Sequence, residues 1–265
     1  MATATDAATE TNTIIMQNYC KTIGALAAAS ALVAGTAKAE IEYSINGGYH
    51  NEYLFRGIQF GHDMTTFGVD AATEKYGLEL SAGLWYASFD TDAGAWFGGP
   101  SFVKWQTSEL DLYAQAAKDL GWATASVGWI QYINDDTGPN LFGAQLDDAQ
   151  EIYFGLTKEI CYGITADLTY YWDVETDNEG YYELGFSKSY DLTDCLSLGL
   201  DTRIGYAYEE GDFTNWITTA TLDWAFTDDA TLSPYVMYVV DGESAGYETT
   251  NENEFVGGIN LTVSF

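Results

Sequence analysis

The chain ends Glu254-Phe255-Val256-Gly257-Gly258-Ile259-Asn260-Leu261-Thr262-Val263-Ser264-Phe265. Phe255, Gly257, Ile259, Leu261, Val263 and Phe265 share one parity, and Glu254, Gly258, Asn260, Thr262 and Ser264 take the other. Side chains alternate across a strand, so this segment reads as a strand with one apolar and one polar face. The same period of two recurs upstream. It sets Leu78, Leu80, Ala82, Leu84 and Tyr86 against Glu79, Ser81 and Gly83. It sets Tyr162, Ile164, Ala166, Leu168, Tyr170 and Trp172 against Gly163, Thr165, Asp167 and Thr169. It returns over 195–208 and 215–226.

Working back from the terminus, the chain from Glu40 tiles into twelve strands. They cover 41–58, 65–74, 76–89, 102–117, 122–133, 150–157, 162–172, 181–190, 195–208, 215–226, 230–240 and 253–265. No segment of useful length carries a helical period. A soluble sheet also alternates, so three further observations decide between a secreted sandwich and a membrane barrel. Connections alternate between short (73–76, 118–121, 158–161, 191–194, 227–229) and longer (90–101, 134–149, 173–180, 209–214, 241–252), as periplasmic turns and extracellular loops do. Only the connection at 61–64 is short for its class. The five longer connections hold 17 acidic residues and no Lys or Arg, whereas Lys75, Lys118 and Lys158 sit at short turns. Aromatic residues such as Trp85, Trp122, Trp129, Trp172, Trp216, Trp224 and Tyr238 gather toward strand ends, where amphipathic rings settle at the headgroup level. The expected fold is a single antiparallel up-and-down transmembrane β-barrel of about twelve strands, all-β, spanning residues 40–265.

The bulk numbers agree. The 265 residues suit one domain, and 27 Gly against 3 Pro suits long strands with tight turns. A net charge of −31 excludes nucleic acid as a partner, because a phosphate backbone needs a basic footprint. Upstream, Lys21 precedes the apolar run Ile23–Gly35, and Ala37-Lys38-Ala39 follows with small residues at the cleavage spacing. Residues 1–39 therefore read as an export signal peptide, with Met16 as a candidate true start. Cys20 lies ahead of the apolar run and is no lipoprotein acceptor. Export and barrel together predict the outer membrane of a Gram-negative bacterium, with lipid and lipopolysaccharide as surroundings.

Several stretches resemble known sequences. The alternation ending in Phe265 resembles the C-terminal strand that the barrel-assembly machinery reads, which makes that machinery an expected partner. Tyr53-Leu54-Phe55-Arg56-Gly57-Ile58 resembles the opening motif of the TorF-type porins, roughly S-x-Y-x-F-R-G-I. Leu78–Phe89, Glu109–Tyr113 and Glu151–Leu156 are also similar to that family. Asn51-Glu52 and Gln59-Phe60 depart from its usual flanking residues. The resemblance implies an outer-membrane barrel with a transport role.

With Phe265 facing lipid, parity sends Glu52, Asp70, Glu79, Asp111, Glu151, Asp167, Glu183, Asp201, Asp223 and Glu254 into the lumen, joined by Arg56 and Arg203. A charge facing hydrocarbon is costly, so inward parity is what any barrel requires. Lys104 and Lys188 fall outward, but near strand ends where a long side chain reaches water. Twelve strands enclose more than side chains alone fill at about eight strands, and less than a 16-stranded porin. Such an acidic lumen would pass small cationic or neutral solutes. A lumen closed by ion pairs, in a structural or surface-interaction barrel with acidic loops, fits the same residues. Arg56 is the leading candidate for a constriction, although a lone inward Arg more often serves as an ion-pair hub.

Enzymatic chemistry is not expected. His50 and His62 are the two histidines, and no Gly-x-Ser-x-Gly, zinc or phosphate-loop pattern occurs. No cofactor or metal site is expected, since Asp135-Asp136, Asp147-Asp148 and Glu209-Glu210-x-Asp212 lack EF-hand spacing and read as solvated loops. Cys161 and Cys195 begin strands two apart. A disulfide between them is permitted in the periplasm but requires the turns to lean together.

Overall fold

A computed structural model describes residues 41–92, 104–135, 148–175, 180–209, 211–242 and 254–265. The expected signal peptide, Met16 and Cys20 lie outside these residues, as do most of the longer connections at 90–101, 134–149 and 241–252 and half of that at 173–180. The described residues form β1 (Glu42–Phe55), β2 (Ile58–Lys75), β3 (Leu78–Asp92), β4 (Lys104–Asp119), β5 (Thr124–Asp135) and β6 (Ala149–Glu159). They continue with β7 (Thr165–Asp173), β8 (Tyr181–Thr193), β9 (Leu196–Ala207), β10 (Asp212–Ala225), β11 (Ala230–Asp241) and β12 (Glu254–Ser264). Each strand pairs antiparallel with its sequence neighbours, and β1 pairs with β12 to close a twelve-stranded barrel. Closure leaves no sheet edge to satisfy, which is the condition for strands to span lipid.

The outer surface carries the apolar parity. Phe154, Leu156, Leu168, Leu200, Leu222, Val236, Ile259 and Leu261 are all exposed. Tyr76, Trp122, Tyr162, Tyr190, Trp224 and Phe226 are exposed at the short-turn end, and Trp172, Tyr208, Phe213, Trp216 and Phe255 toward the loop end. Lys75, Lys158 and Lys188 lie 5.3, 5.8 and 4.8 Å from the ring centroids of Tyr76, Trp122 and Tyr190. Each keeps its charge at the headgroup level while its stem covers apolar surface. Trp85 does not join the outer belts as expected. It faces the lumen with Ala87 and Phe89 and packs against Tyr53, ring centroids 6.2 Å apart.

The first hairpin also differs from the sequence reading. β1 and β2 are not joined at 61–64. They turn at Arg56-Gly57, both with positive φ (53° and 84°), as a two-residue type I′ hairpin turn requires. The same non-Gly–Gly device turns Tyr76-Gly77 and Tyr162-Gly163. The His62–Thr65 stretch is instead a bulge within β2, where Asp63 takes φ 51° and the register against β3 shifts.

Candidate functional site

The tip of the β1–β2 hairpin does not stay in the wall. β1 pairs with β12 as far as His50↔Gly258, and β2 pairs with β3 as far as His62↔Asp90. Between those points the two strands keep only each other. Asn51 Oδ1 accepts the Gly257 backbone N–H at 2.6 Å, supplying a partner where β1 has left β12. A register shift at Tyr53/Leu54 and the Asp63 bulge bend the hairpin inward across the loop-side end of the lumen.

Inside, successive tip residues reach different walls. The Tyr53 hydroxyl donates to both Glu109 carboxylate oxygens at 2.8 and 3.0 Å on β4, and its ring meets Phe89 edge-on. Leu54, 1% exposed, packs with Ile217, Met237, Val239 and Val256 from β10, β11 and β12. The Phe55 ring meets Tyr132 of β5 edge-on at 5.8 Å. The Arg56 guanidinium donates to both oxygens of Glu151 on β6 at 2.7 Å each. Its central carbon lies 4.7 and 4.5 Å from the ring centroids of Tyr171 on β7 and Tyr181 on β8. Asn215 of β10 donates to the Arg56 carbonyl at 2.7 Å. Gly57 fits here because a Cβ would lie 2.6 Å from the Asn215 Cβ, and because its φ suits glycine. The tip thus spans the barrel from β4 to β12.

A second polar group lies on the β7–β9 wall. Arg203 donates to Glu183 at 2.6 Å, to Asp167 at 3.1 Å and to Asp201 at 3.0 Å. One guanidinium therefore faces three carboxylates, a local surplus of negative charge. On the opposite wall Asp70 accepts from Tyr113, from Asn46 at 3.1 Å and from Ser44. His50 is buried and hydrogen-bonds Tyr235 at 2.7 Å and Thr66 at 3.2 Å.

The residues predicted for the lumen therefore fall into separate groups. Arg56 meets Glu151, and Arg203 gathers Asp167, Glu183 and Asp201. Asp111 is buried on β4, across the register from Tyr132. Glu52 accepts from Gln59 at 2.5 Å at the hairpin's base, and Asp223 accepts from Ser233 at 2.6 Å. Glu79 and Glu254 are half-buried near opposite ends of the barrel. Glu109, buried beside Asp111, was not among the predicted residues, although it shares parity with Asp111 two positions away. Cys161 and Cys195 are free, exposed thiols and form no disulfide.

The chain is similar in structure to an outer membrane channel from Pseudomonas putida F1. The likeness has a TM-score of 0.54 at 11% identity and covers 87% of this chain and 97% of that one. The chain has the fold of an outer-membrane channel barrel. It is also similar to the KdgM porin, with TM-score 0.48 and 10% identity, covering 84% of this chain and 99% of that one. No family profile and no curated protein matches the sequence, so the TorF resemblance rests on the quoted motifs.

Proposed function

We propose that the chain is an outer-membrane diffusion channel for small cationic or neutral solutes, closed in the described conformation by its own β1–β2 tip. The observation that carries the reading is the composition of the lumen. Asp70, Glu109, Glu151, Asp167, Glu183, Asp201 and Asp223 line or enter it against Arg56 and Arg203, behind an apolar outer band. Such a surplus in a low-dielectric tube attracts cations and repels anions. The Tyr53–Gly57 motif that resembles the TorF-type opening forms the closing tip, which supports assigning the chain to that type. A second reading, a non-conducting structural barrel with acidic loops toward lipopolysaccharide and its bridging cations, is favoured by how many walls hold the tip.

The test is conductance of the full chain in planar lipid bilayers under a KCl gradient, with Arg56→Ala beside the parent. The channel reading expects rare openings in the parent, frequent ones in the variant, and a reversal potential favouring K⁺. Preference for Cl⁻ at neutral pH overturns it. Silence from both proteins supports the non-conducting barrel.

A further inference from the structure

The place Arg56 occupies is built by the wall. Glu151 on β6 takes the guanidinium side-on through both oxygens and is itself held by the Tyr132 hydroxyl at 3.0 Å. Tyr171 and Tyr181 supply ring faces from β7 and β8, each buried beside the guanidinium. The tip adds a further face through Phe55, 4.6 Å from the guanidinium carbon. Carboxylate fork plus aromatic faces is the recognition chemistry of a planar, delocalised cation. A compact ammonium cannot fill both fork positions or stack.

The occupant fits this cage incompletely. Arg56 Nε is buried without a hydrogen-bond partner, so one of the five guanidinium donors is wasted. Nearby on β4, Asp111 is 2% exposed and its Oδ1 has no hydrogen-bond partner either, leaving an acceptor unused. The Arg56 backbone sits at φ 53°, a conformation uncommon for a residue with a Cβ. A free guanidinium carries none of that backbone constraint and can turn to use donors that Arg56 cannot.

We propose that the Glu151–Tyr132–Tyr171–Tyr181 cage is a binding site for a guanidinium-bearing solute, which takes the place of Arg56 and releases the β1–β2 tip. The release deepens the channel reading and rests on it, since only an open barrel gives release a transport consequence. The tethered Arg56 competes at the high effective concentration of a short linkage, so a monovalent solute is needed at about the millimolar level to displace it. Opening is then linked to the arrival of the solute that the channel admits.

Methylguanidinium is the probe and methylammonium the matched control, each titrated calorimetrically into the full chain in detergent. Arg56→Ala, with the cage vacated, is expected to bind methylguanidinium at least about tenfold more tightly than the parent and about tenfold more tightly than methylammonium. Arg56→Ala/Glu151→Gln is expected to lose that affinity. In the parent, methylguanidinium should speed amide hydrogen exchange across residues 51–61, which reads tip release without any substitution. Equal binding by the single and double variants, or no binding to Arg56→Ala together with unchanged exchange in the parent, overturns the site. Binding to Arg56→Ala without bilayer current keeps the site and removes the channel, whereas current without binding does the reverse.

Discussion

Arg203 offers the sharpest test of whether the lumen's charges are buried or merely wet. Its side chain is 4% exposed, as is that of Asp167, and Glu183 is 6% exposed, while Asp201 at 21% retains contact with water. Arg203→Met keeps much of the stem's volume and removes the guanidinium alone. Asp167 and Glu183 then face each other in the wall with no counter-charge, and the donors at 2.6 and 3.1 Å are gone. Breaking a buried pair by deleting one partner costs roughly 3–5 kcal/mol, because the remaining charge stays buried. At about 1.4 kcal/mol per decade that lowers the folding equilibrium by roughly 100- to 4,000-fold. Urea unfolding in phospholipid vesicles at pH 8, followed by tryptophan fluorescence and checked for coincident refolding, reads the shift. Arg203→Met/Asp167→Asn/Glu183→Gln should recover most of the loss, since neutralising the whole group removes the stranded charges. A loss under about 1 kcal/mol in the single variant would refute the argument, for it would mean that lumen water already solvates these carboxylates.

Three other outcomes are expected. Gly128→Ala places a Cβ 2.1 Å from the Tyr153 ring, which must swing and give up its 2.9 Å bond to Gln115. The same urea titration should show about 1–3 kcal/mol of destabilisation, and an unchanged midpoint would contradict the packing. Val236, 49% exposed at mid-β11, faces lipid, so Val236→Arg should cost roughly 2–4 kcal/mol in vesicles. Parent-like stability there would mean that this face meets water. Cys161 and Cys195 lie at short turns, so a membrane-impermeant maleimide should label both from the periplasmic side of intact outer membranes and neither from outside. Labelling from outside reverses the orientation.

The wall was legible because lipid and water impose opposite demands at every second residue. All twelve strands from Glu42 to Ser264 follow from that demand, with ends within a few positions except at the start of β2, which begins at Ile58 rather than at the expected 65. The tip was not legible because its parity runs on. Tyr53, Leu54 and Phe55 continue an apolar stretch, and His62-Asp63 looks like the turn that it is not. The signal lay in Arg56-Gly57, a pairing that recurs at Tyr76-Gly77 and Tyr162-Gly163, where hairpins do turn. A second clue was Val236-Met237-Tyr238-Val239-Val240, apolar on both parities. A strand lined with water on one side has no use for Met237 and Val239 there, so something apolar had to cover them, and Leu54 does. The cage around Arg56 could not be read at all. Tyr132, Glu151, Tyr171 and Tyr181 are far apart along the chain and meet only through the register of four consecutive strands.

The same contacts bear on how the proposed channel would open. Withdrawing the tip uncovers the Ile217–Met237–Val239–Val256 face and strips Glu151 of its guanidinium, while Asn215 loses the Arg56 carbonyl. Exposing a large buried aliphatic side chain costs about 1.5–3 kcal/mol, and a hydrogen bond to a charged group is worth about 1.5–3 kcal/mol. Against these stands the ladder that residues 51–61 forgo with β12 and β3, which an upright hairpin would regain. A tip held by such opposed terms would open rarely while nothing replaces its contacts, and moving it from 1% to 99% open requires a swing of about 5.5 kcal/mol. Neither the Leu54 contact nor the Arg56 contact supplies that swing by itself. On the channel proposal, frequent opening therefore requires a replacement for what the tip provides, and the guanidinium cage is a part of the lumen that a soluble cation would fill.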